Sequence, residues 1–163
     1  MARHRTPPGP GQESVWDYPR PPRLEPVPER VRVLLDGLVI ANTLRALRVL
    51  ETSHPPVYYL PRPDVRMERL EASARASVCE WKGRARYFSL RHGARLLRDV
   101  AWSYPEPAAP FGPLAGHLAF YLDPLEGWVG EERARPQPGR FYGGWVTSRI
   151  AGPFKGEPGT EGW

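Results

Sequence analysis

The sequence predicts one mainly β domain flanked by a proline-rich arm and an aromatic tail. Short apolar runs alternate with polar residues at the period of a strand, and turn residues separate them. Those turns draw on 16 Gly and 21 Pro in a chain of 163 residues. The length is close to the commonest size of a single domain. We place the arm at residues 1–30, docked in part, the β-rich domain at residues 31–130, and the tail at residues 131–163.

The elements follow in chain order from the same patterns. Residues 31–41 are expected to form a hairpin, because Asp36-Gly37 is a two-residue turn signal between two apolar runs. Asp64 is a good N-cap, and the apolar residues Val65, Met67 and Leu70 then predict one short helix. Further strands are predicted at residues 46–51, 57–60, 76–82, 84–90, 94–102 and 117–121.

The two ends of the chain carry aromatic residues that a free segment would expose to water. Prolines in the arm disfavour both helix and sheet, yet Trp16 and Tyr18 lie among them. Pro136 and Pro138 indicate a linker in the tail, but Trp145 and several other aromatic residues follow. We therefore expect the arm to dock in part, and the tail to cover either the domain or a partner.

The charge pattern disfavours a nucleic-acid partner. The net charge is +5, but the arm and the tail each carry five basic and four acidic residues, so no segment is polybasic. The single cysteine fits a reducing compartment, and the absence of a signal-like or membrane-length apolar run predicts a soluble, cytoplasmic protein with no membrane partner. With one cysteine and no zinc-protease histidine spacing, the sequence predicts no metal site and no cofactor.

Lysine is rare in this chain, which makes its positions informative. Of the 23 basic residues, 21 are Arg and only Lys82 and Lys155 are Lys. A chain that uses Arg for generic positive charge can place Lys where a compact, rotatable ammonium group is required. The alternative is that the two positions arose by chance.

The densest group of chemically useful residues is Cys79-Glu80-Trp81-Lys82-Gly83. If this segment is a strand, Glu80 and Lys82 share one face. They would then form a catalytic pair in a polar pocket, where Lys82 binds an anion and Glu80 acts as a base, or an exposed ion pair of little consequence. Cys79 is either a reactive thiol or, as is usual for a lone cysteine in an apolar strand, a buried and inert one.

Two further residues belong to the candidate site. His54 precedes Pro55-Pro56 in a rigid loop beside tyrosines, which suits a ligand contact as well as a local hydrogen bond. Asp64, apart from capping a helix, would join Tyr59, Glu80 and Lys82 in an acid–base group if these four residues converge in space.

Several motifs together resemble the bacterial and fungal domain of unknown function 427 family. They are Val15-Trp16-Asp17-Tyr18, residues 37–43 and 49–53, Tyr58-Tyr59-Leu60-Pro61, Cys79-Glu80-Trp81-Lys82-Gly83 and Ala101-Trp102-Ser103-Tyr104-Pro105. The resemblance implies a small Mss4-like barrel or folded sheet with one short helix, without the zinc that the missing cysteine pairs would hold. The family is sometimes labelled nucleotidyltransferase-like, but the Gly-Ser and paired aspartates of that chemistry are not visible in this sequence.

The resemblance directs attention to residues that suit a pocket at the mouth of a β barrel. They are Tyr59, Asp64, Cys79, Glu80, Trp81, Lys82, Trp102 and Tyr104. The first hypothesis is a domain that binds a small anionic metabolite or nucleotide, with catalysis left open. In it Lys82, Glu80 and Asp64 act on the ligand, while Tyr59, Trp81, Trp102, Tyr104 and His54 contact it.

Two other classes of function remain open from the sequence. The first is a protein-interaction module that uses the aromatic arm and tail, and a homodimer is one form of it. The second is single-stranded nucleic-acid binding, through Arg84, Arg86 and the neighbouring aromatic residues.

Overall fold

The computed structural model describes residues 5–139 and 141–163. Within these residues the chain forms fifteen strands: β1 (Glu13–Ser14), β2 (Arg23–Pro26), β3 (Val31–Leu35), β4 (Leu38–Thr43), β5 (Leu47–Leu50), β6 (Val57–Pro61), β7 (Leu70–Cys79), β8 (Gly83–His92), β9 (Arg95–Ser103), β10 (His117–Phe120), β11 (Glu126–Val129), β12 (Glu132–Arg133), β13 (Arg135–Pro136), β14 (Trp145–Val146) and β15 (Ile150–Ala151). The same residues contain four short 3₁₀ turns: Val15–Asp17, Arg62–Asp64, Met67–Arg69 and Gly112–Leu114.

The predicted mainly β fold is confirmed, in the form of folded sheets. The larger sheet has the strand order β2-β5-β6-β10-β9-β8-β7, and the smaller has the order β12-β11-β3-β4. The described strands leave the larger sheet open at β2 and β7, so the barrel alternative is wrong. No helix among the described residues has the length and apolar character needed to cross a bilayer.

The main core lies between the two sheets. In β3, Val31, Val33 and Leu35 alternate inward and are fully buried. They belong to one apolar cluster with Leu118 and Phe120 of the larger sheet. The β3–β4 hairpin has the predicted turn, in which Asp36 and Gly37 have φ angles of 50° and 80°. Period-two alternation therefore fixes which face of each strand is buried.

The short helix predicted after Asp64 is wrong. Residues 62–69 form two 3₁₀ turns, because their backbone hydrogen bonds go elsewhere. Arg66 donates its N–H to the Ile40 carbonyl in β4, and Val65 bridges Ala41. Asp64 ends the first turn and does not cap a helix.

The strand predicted at residues 76–82 is also corrected. β7 ends at Cys79, and residues 80–82 form the turn that leads into β8. Side chains in a turn do not alternate as in a strand, so the expected sharing of a face by Glu80 and Lys82 fails.

The arm and the tail pack against each other and against the domain. β1 of the arm pairs in parallel with β15 of the tail, and β13 pairs with β14 within the tail. Trp145 of β14 is 1% exposed in the main core, where its Nε1 donates to the Phe120 carbonyl at 3.1 Å. Residues 1–4 of the arm and residue 140 of the tail lie outside the described residues. The division at residues 30 and 130 stays a prediction.

Candidate functional site

The second face of the larger sheet carries an aromatic cluster. Alternation sends Tyr58 and Leu60 of β6 into the main core, and Tyr59 to the opposite face. On that face Tyr59 packs against Trp102 of β9, and Tyr87 of β8 belongs to the same cluster; all three are buried. Strand pairing sets this arrangement, because Tyr87 lies directly opposite Trp102.

A cleft of about 580 Å³ lies on this aromatic face. The β7–β8 turn, the loop after β5, the arm and the tail surround it. Its aromatic side chains are Tyr59, Trp81, Tyr87, Trp102, Tyr104, Tyr121, Phe141, Tyr142 and Trp163. Its cationic side chains are Arg20, Arg75, Lys82 and Lys155, against two carboxylates, Glu51 and Glu80.

Lys82 and Glu80 line the cleft but differ in burial. Lys82 is 8% exposed, and its Nζ lies 5.7 Å from the centre of the Tyr104 ring and 5.9 Å from that of Phe111. Glu80 is exposed, and no ion pair joins it to Lys82 in the part of the chain that the structure describes. Lys82 therefore offers its positive charge to the cleft without a carboxylate partner. The catalytic roles of both residues stay predictions.

The other lysine lies in the same cleft, at the corner formed by the tail. Lys155 Nζ donates to the Trp163 carbonyl at 2.7 Å and lies 5.4 Å from the centre of the Tyr142 ring. Its backbone N–H donates to the Ser53 carbonyl, which joins the tail to the loop that carries His54. Both lysines of the chain therefore line one cleft, and their rarity in the sequence had drawn attention to each of them.

His54 lies in the Lys155 corner with its tautomer fixed. Its Nδ1 is 3.0 Å from the Thr52 carbonyl, which can only accept, so Nδ1 carries the proton and Nε2 is free to accept. Burial lowers the pKa of His54, although Glu51 and the Thr52 carbonyl oppose the shift. The imidazole is therefore neutral near pH 7.

This shift predicts a pH dependence of stability. Because the pKa of His54 is lower in the folded chain, the unfolded chain binds more protons below its ordinary value of about 6.5. The free energy of unfolding should fall as the pH drops from about 6.5 to the lowered folded pKa. His54→Asn should reduce that slope in denaturant melts between pH 7 and pH 5, and an unchanged slope would contradict the burial argument.

Three tyrosines of the cleft add no negative charge. Burial raises the pKa of Tyr59 and of Tyr104 far above the usual value. Burial also raises the pKa of Tyr121, to about 12. All three hydroxyls are therefore protonated at physiological pH and do not repel an anion.

Cys79 packs against the aromatic cluster from the end of β7. Its side chain is half-buried, and its thiol contacts the Tyr104 hydroxyl. Trp81 in the following turn is half-buried against the same cluster. Packing against the aromatic cluster is enough to account for a thiol at the end of β7. Its reactivity stays a prediction.

Asp64 does not join the other predicted residues. It lies outside the cleft, where its carboxylate accepts hydrogen bonds from Thr43 Oγ1 at 2.7 Å and Arg45 Nη2 at 3.1 Å. The Thr43 hydrogen bond contributes most to the lowered pKa of Asp64. Asp64 thus joins β4 to the turn after β6 and lies apart from Glu80 and Lys82. Its catalytic role stays a prediction.

The structure adds residues to the site that the sequence patterns did not reveal. A bulge between Ala72 and Ala76 in β7 turns Arg75 toward the cleft, with its guanidinium carbon 4.3 Å from the centre of the Tyr87 ring. Tyr142 and Gln137 come from the tail. Bulges and tail packing depend on tertiary contacts, so neither residue periodicity nor spacing identifies these groups.

A family model described as domain of unknown function (DUF427) matches residues 23–131. The chain belongs to this family. No curated protein matches the sequence. The DUF427 range contains the β7–β8 turn and the strands that carry Tyr59 and Trp102. It does not contain Arg20, Lys155 or the tail aromatic residues that surround the rest of the cleft. The DUF427 domain therefore supplies the floor of the cleft, and the flanking segments supply part of its walls.

Proposed function

We propose that this chain binds a small anionic molecule in the cleft on the aromatic face of its larger sheet. The observation that carries the proposal is Lys82, a residue only 8% exposed that lines the cleft without a carboxylate partner among the described residues. Burying a charge is costly unless another charge compensates it. An anionic ligand would supply that compensation.

The rest of the lining supports an anion. Of its two carboxylates, Glu51 is already paired with Arg20 at 3.3 Å, and Glu80 is exposed. Arg75 and Lys155 add positive charge, and the phenols of Tyr59, Tyr104 and Tyr121 are uncharged. The volume lies in the range of pockets that bind small organic ligands.

The other two hypotheses receive less support. An interaction module would use the arm around Trp16 and the tail around Trp145 and Trp163. Trp145 is buried in the chain's own core, Trp163 lines the cleft, and Trp16 is half-buried against Trp163. Single-strand binding would need basic and aromatic residues on one face. In β8 the exposed Arg84 and Arg86 alternate with the buried Tyr87, and Phe88, which shares their face, packs against the main core.

Native mass spectrometry of the protein purified gently from its own cells tests the proposal. We expect a stoichiometric small adduct in the natural chain that is lost in Lys82→Met. Arg84→Met is the matched control, because it removes one positive charge from an exposed position outside the cleft on the same hairpin. Loss in both variants, or an adduct retained in Lys82→Met, would contradict binding at Lys82.

The same spectra report the oligomeric state. The homodimer and the cytoplasmic location stay predictions, and so does catalysis. A bound molecule recovered intact would favour binding alone, whereas a mixture of two chemically related molecules would favour turnover in the cleft.

A further inference from the structure

The cleft keeps aromatic surface available after folding. Trp81, Tyr121, Tyr142 and Trp163 line it and are only half-buried, unlike the fully packed aromatic residues beneath them. Apolar surface left in contact with water in a concave site marks a place where a ligand or partner contacts it. A site for an inorganic anion alone would need donors and cations, but not these rings.

Three of the four cations of the cleft lie beside aromatic rings. Arg75 lies 4.3 Å from the centre of the Tyr87 ring, Lys82 lies 5.7 Å from Tyr104, and Lys155 lies 5.4 Å from Tyr142. Each of these three cations therefore lies beside an aromatic ring at the cleft. A ligand that stacked on the half-buried rings of the cleft would have positive charge close by for an anionic substituent.

The turn between β7 and β8 joins both properties in adjacent residues. Trp81 is half-buried in the cleft wall, and Lys82 is buried next to it. The Lys82 carbonyl accepts a hydrogen bond from Ala108 N–H at 2.9 Å, which ties the turn to the loop after β9. Gly83 closes the turn with a φ of 104°. The backbone that carries the aromatic wall and the ammonium group is thus held in place before any ligand binds.

We propose that the ligand is an aromatic anion, a planar ring that carries a phosphate, sulfonate or carboxylate group. Its ring stacks at the Trp81 wall, and its anionic group pairs with Lys82. This inference rests on the proposed function and extends it, because it states what the anion is attached to. Stacking of the ligand ring on Trp81 and pairing of its anionic group with Lys82 would then each contribute to affinity.

Three probes separate the two contributions. 1-Naphthalenesulfonate carries ring and anion, methanesulfonate carries the anion alone, and 1-naphthalenemethanol carries the ring alone. Isothermal titration calorimetry on the full chain should give an affinity for 1-naphthalenesulfonate at least about tenfold higher than for either partial probe, as expected when stacking and charge both act. This comparison needs no variant, so a failure of a variant to fold does not affect it.

Variants then assign the contributions to residues. Lys82→Met should reduce the affinity for 1-naphthalenesulfonate by about tenfold. It should change the affinity for 1-naphthalenemethanol by less than about twofold. Trp81→Ala should reduce the affinity for both ring-bearing probes. Arg84→Met should change none of the three, and near-ultraviolet circular dichroism checks that each variant is folded.

The outcomes distinguish the two proposals. If methanesulfonate binds as tightly as 1-naphthalenesulfonate and Lys82→Met abolishes the binding of both probes, the proposed anion binding is supported. The proposal that the ligand carries an aromatic ring is then contradicted. If only the two ring-bearing probes bind, and equally, the cleft is an apolar site and both proposals fail. If no probe binds and native mass spectrometry finds no adduct, both proposals fail as well.

Discussion

Trp145→Ala should lower the free energy of unfolding by about 3–5 kcal/mol, the usual cost of removing a buried tryptophan. Trp145 is 1% exposed and packs 5.2 Å from the Tyr58 ring, centre to centre. Its indole N–H also satisfies the Phe120 carbonyl, which the alanine variant would leave without that donor. Urea melts followed by far-ultraviolet circular dichroism measure the change.

Phe141→Ala is the matched control from the same tail. Phe141 is 70% exposed, so its removal should change the free energy of unfolding by less than about 0.5 kcal/mol. If both variants changed the free energy of unfolding by a similarly small amount, the tail would not be part of the core. The proposed boundary at residue 130 would then also mark a boundary of stability.

Gly143→Ala should destabilise the chain by about 1–3 kcal/mol and weaken ligand binding, because it overpacks the cleft wall. A Cβ atom at this position would overlap the Trp102 Cη2 atom. The Trp102 ring is buried between Tyr59 and Tyr121, so the tail loop must move instead. That loop carries Tyr142, and its displacement changes the shape of the cleft.

Gly162→Ala provides the comparison for Gly143→Ala. A Cβ atom at Gly162 meets nothing within 4 Å, and its backbone does not have a positive φ. Its thermal midpoint and its affinity for 1-naphthalenesulfonate should match those of the natural chain. A Gly143→Ala variant that behaved in the same way would contradict the close approach of the tail to Trp102.

Much of the fold followed from local patterns. The alternation in residues 57–60 predicted a strand, and it also decides that Tyr59 faces the cleft while Tyr58 faces the core. The Asp36-Gly37 turn signal predicted its hairpin. The pattern failed where tertiary hydrogen bonds outweighed propensity. Residues 64–70 have the spacing of a helix, but Arg66 donates to Ile40 in β4 and leaves only 3₁₀ turns.

The sequence predicted only part of the candidate site. The residues that the motifs singled out lie around one cleft, apart from Asp64, because strand pairing places neighbouring strands side by side. Arg75 depends on a bulge, and Tyr142 depends on how the tail folds back. Neither is encoded in a spacing rule. The rarity of lysine was the sequence signal that pointed to both Lys82 and Lys155, although it could not show that they share a cleft.

The central claim is that Lys82 binds an anion in this cleft. Lysine-selective nuclear magnetic resonance tests this claim directly. The chain has two lysines, so ¹³C-lysine labelling gives two ε-methylene signals, which Lys82→Met assigns. The low-molecular-weight extract of the protein's own cells and 1-naphthalenesulfonate are the two titrants. We predict that both titrants shift the Lys82 signal and that Arg84→Met leaves the shift unchanged. A Lys82 signal that stays in place with both titrants would contradict the claim.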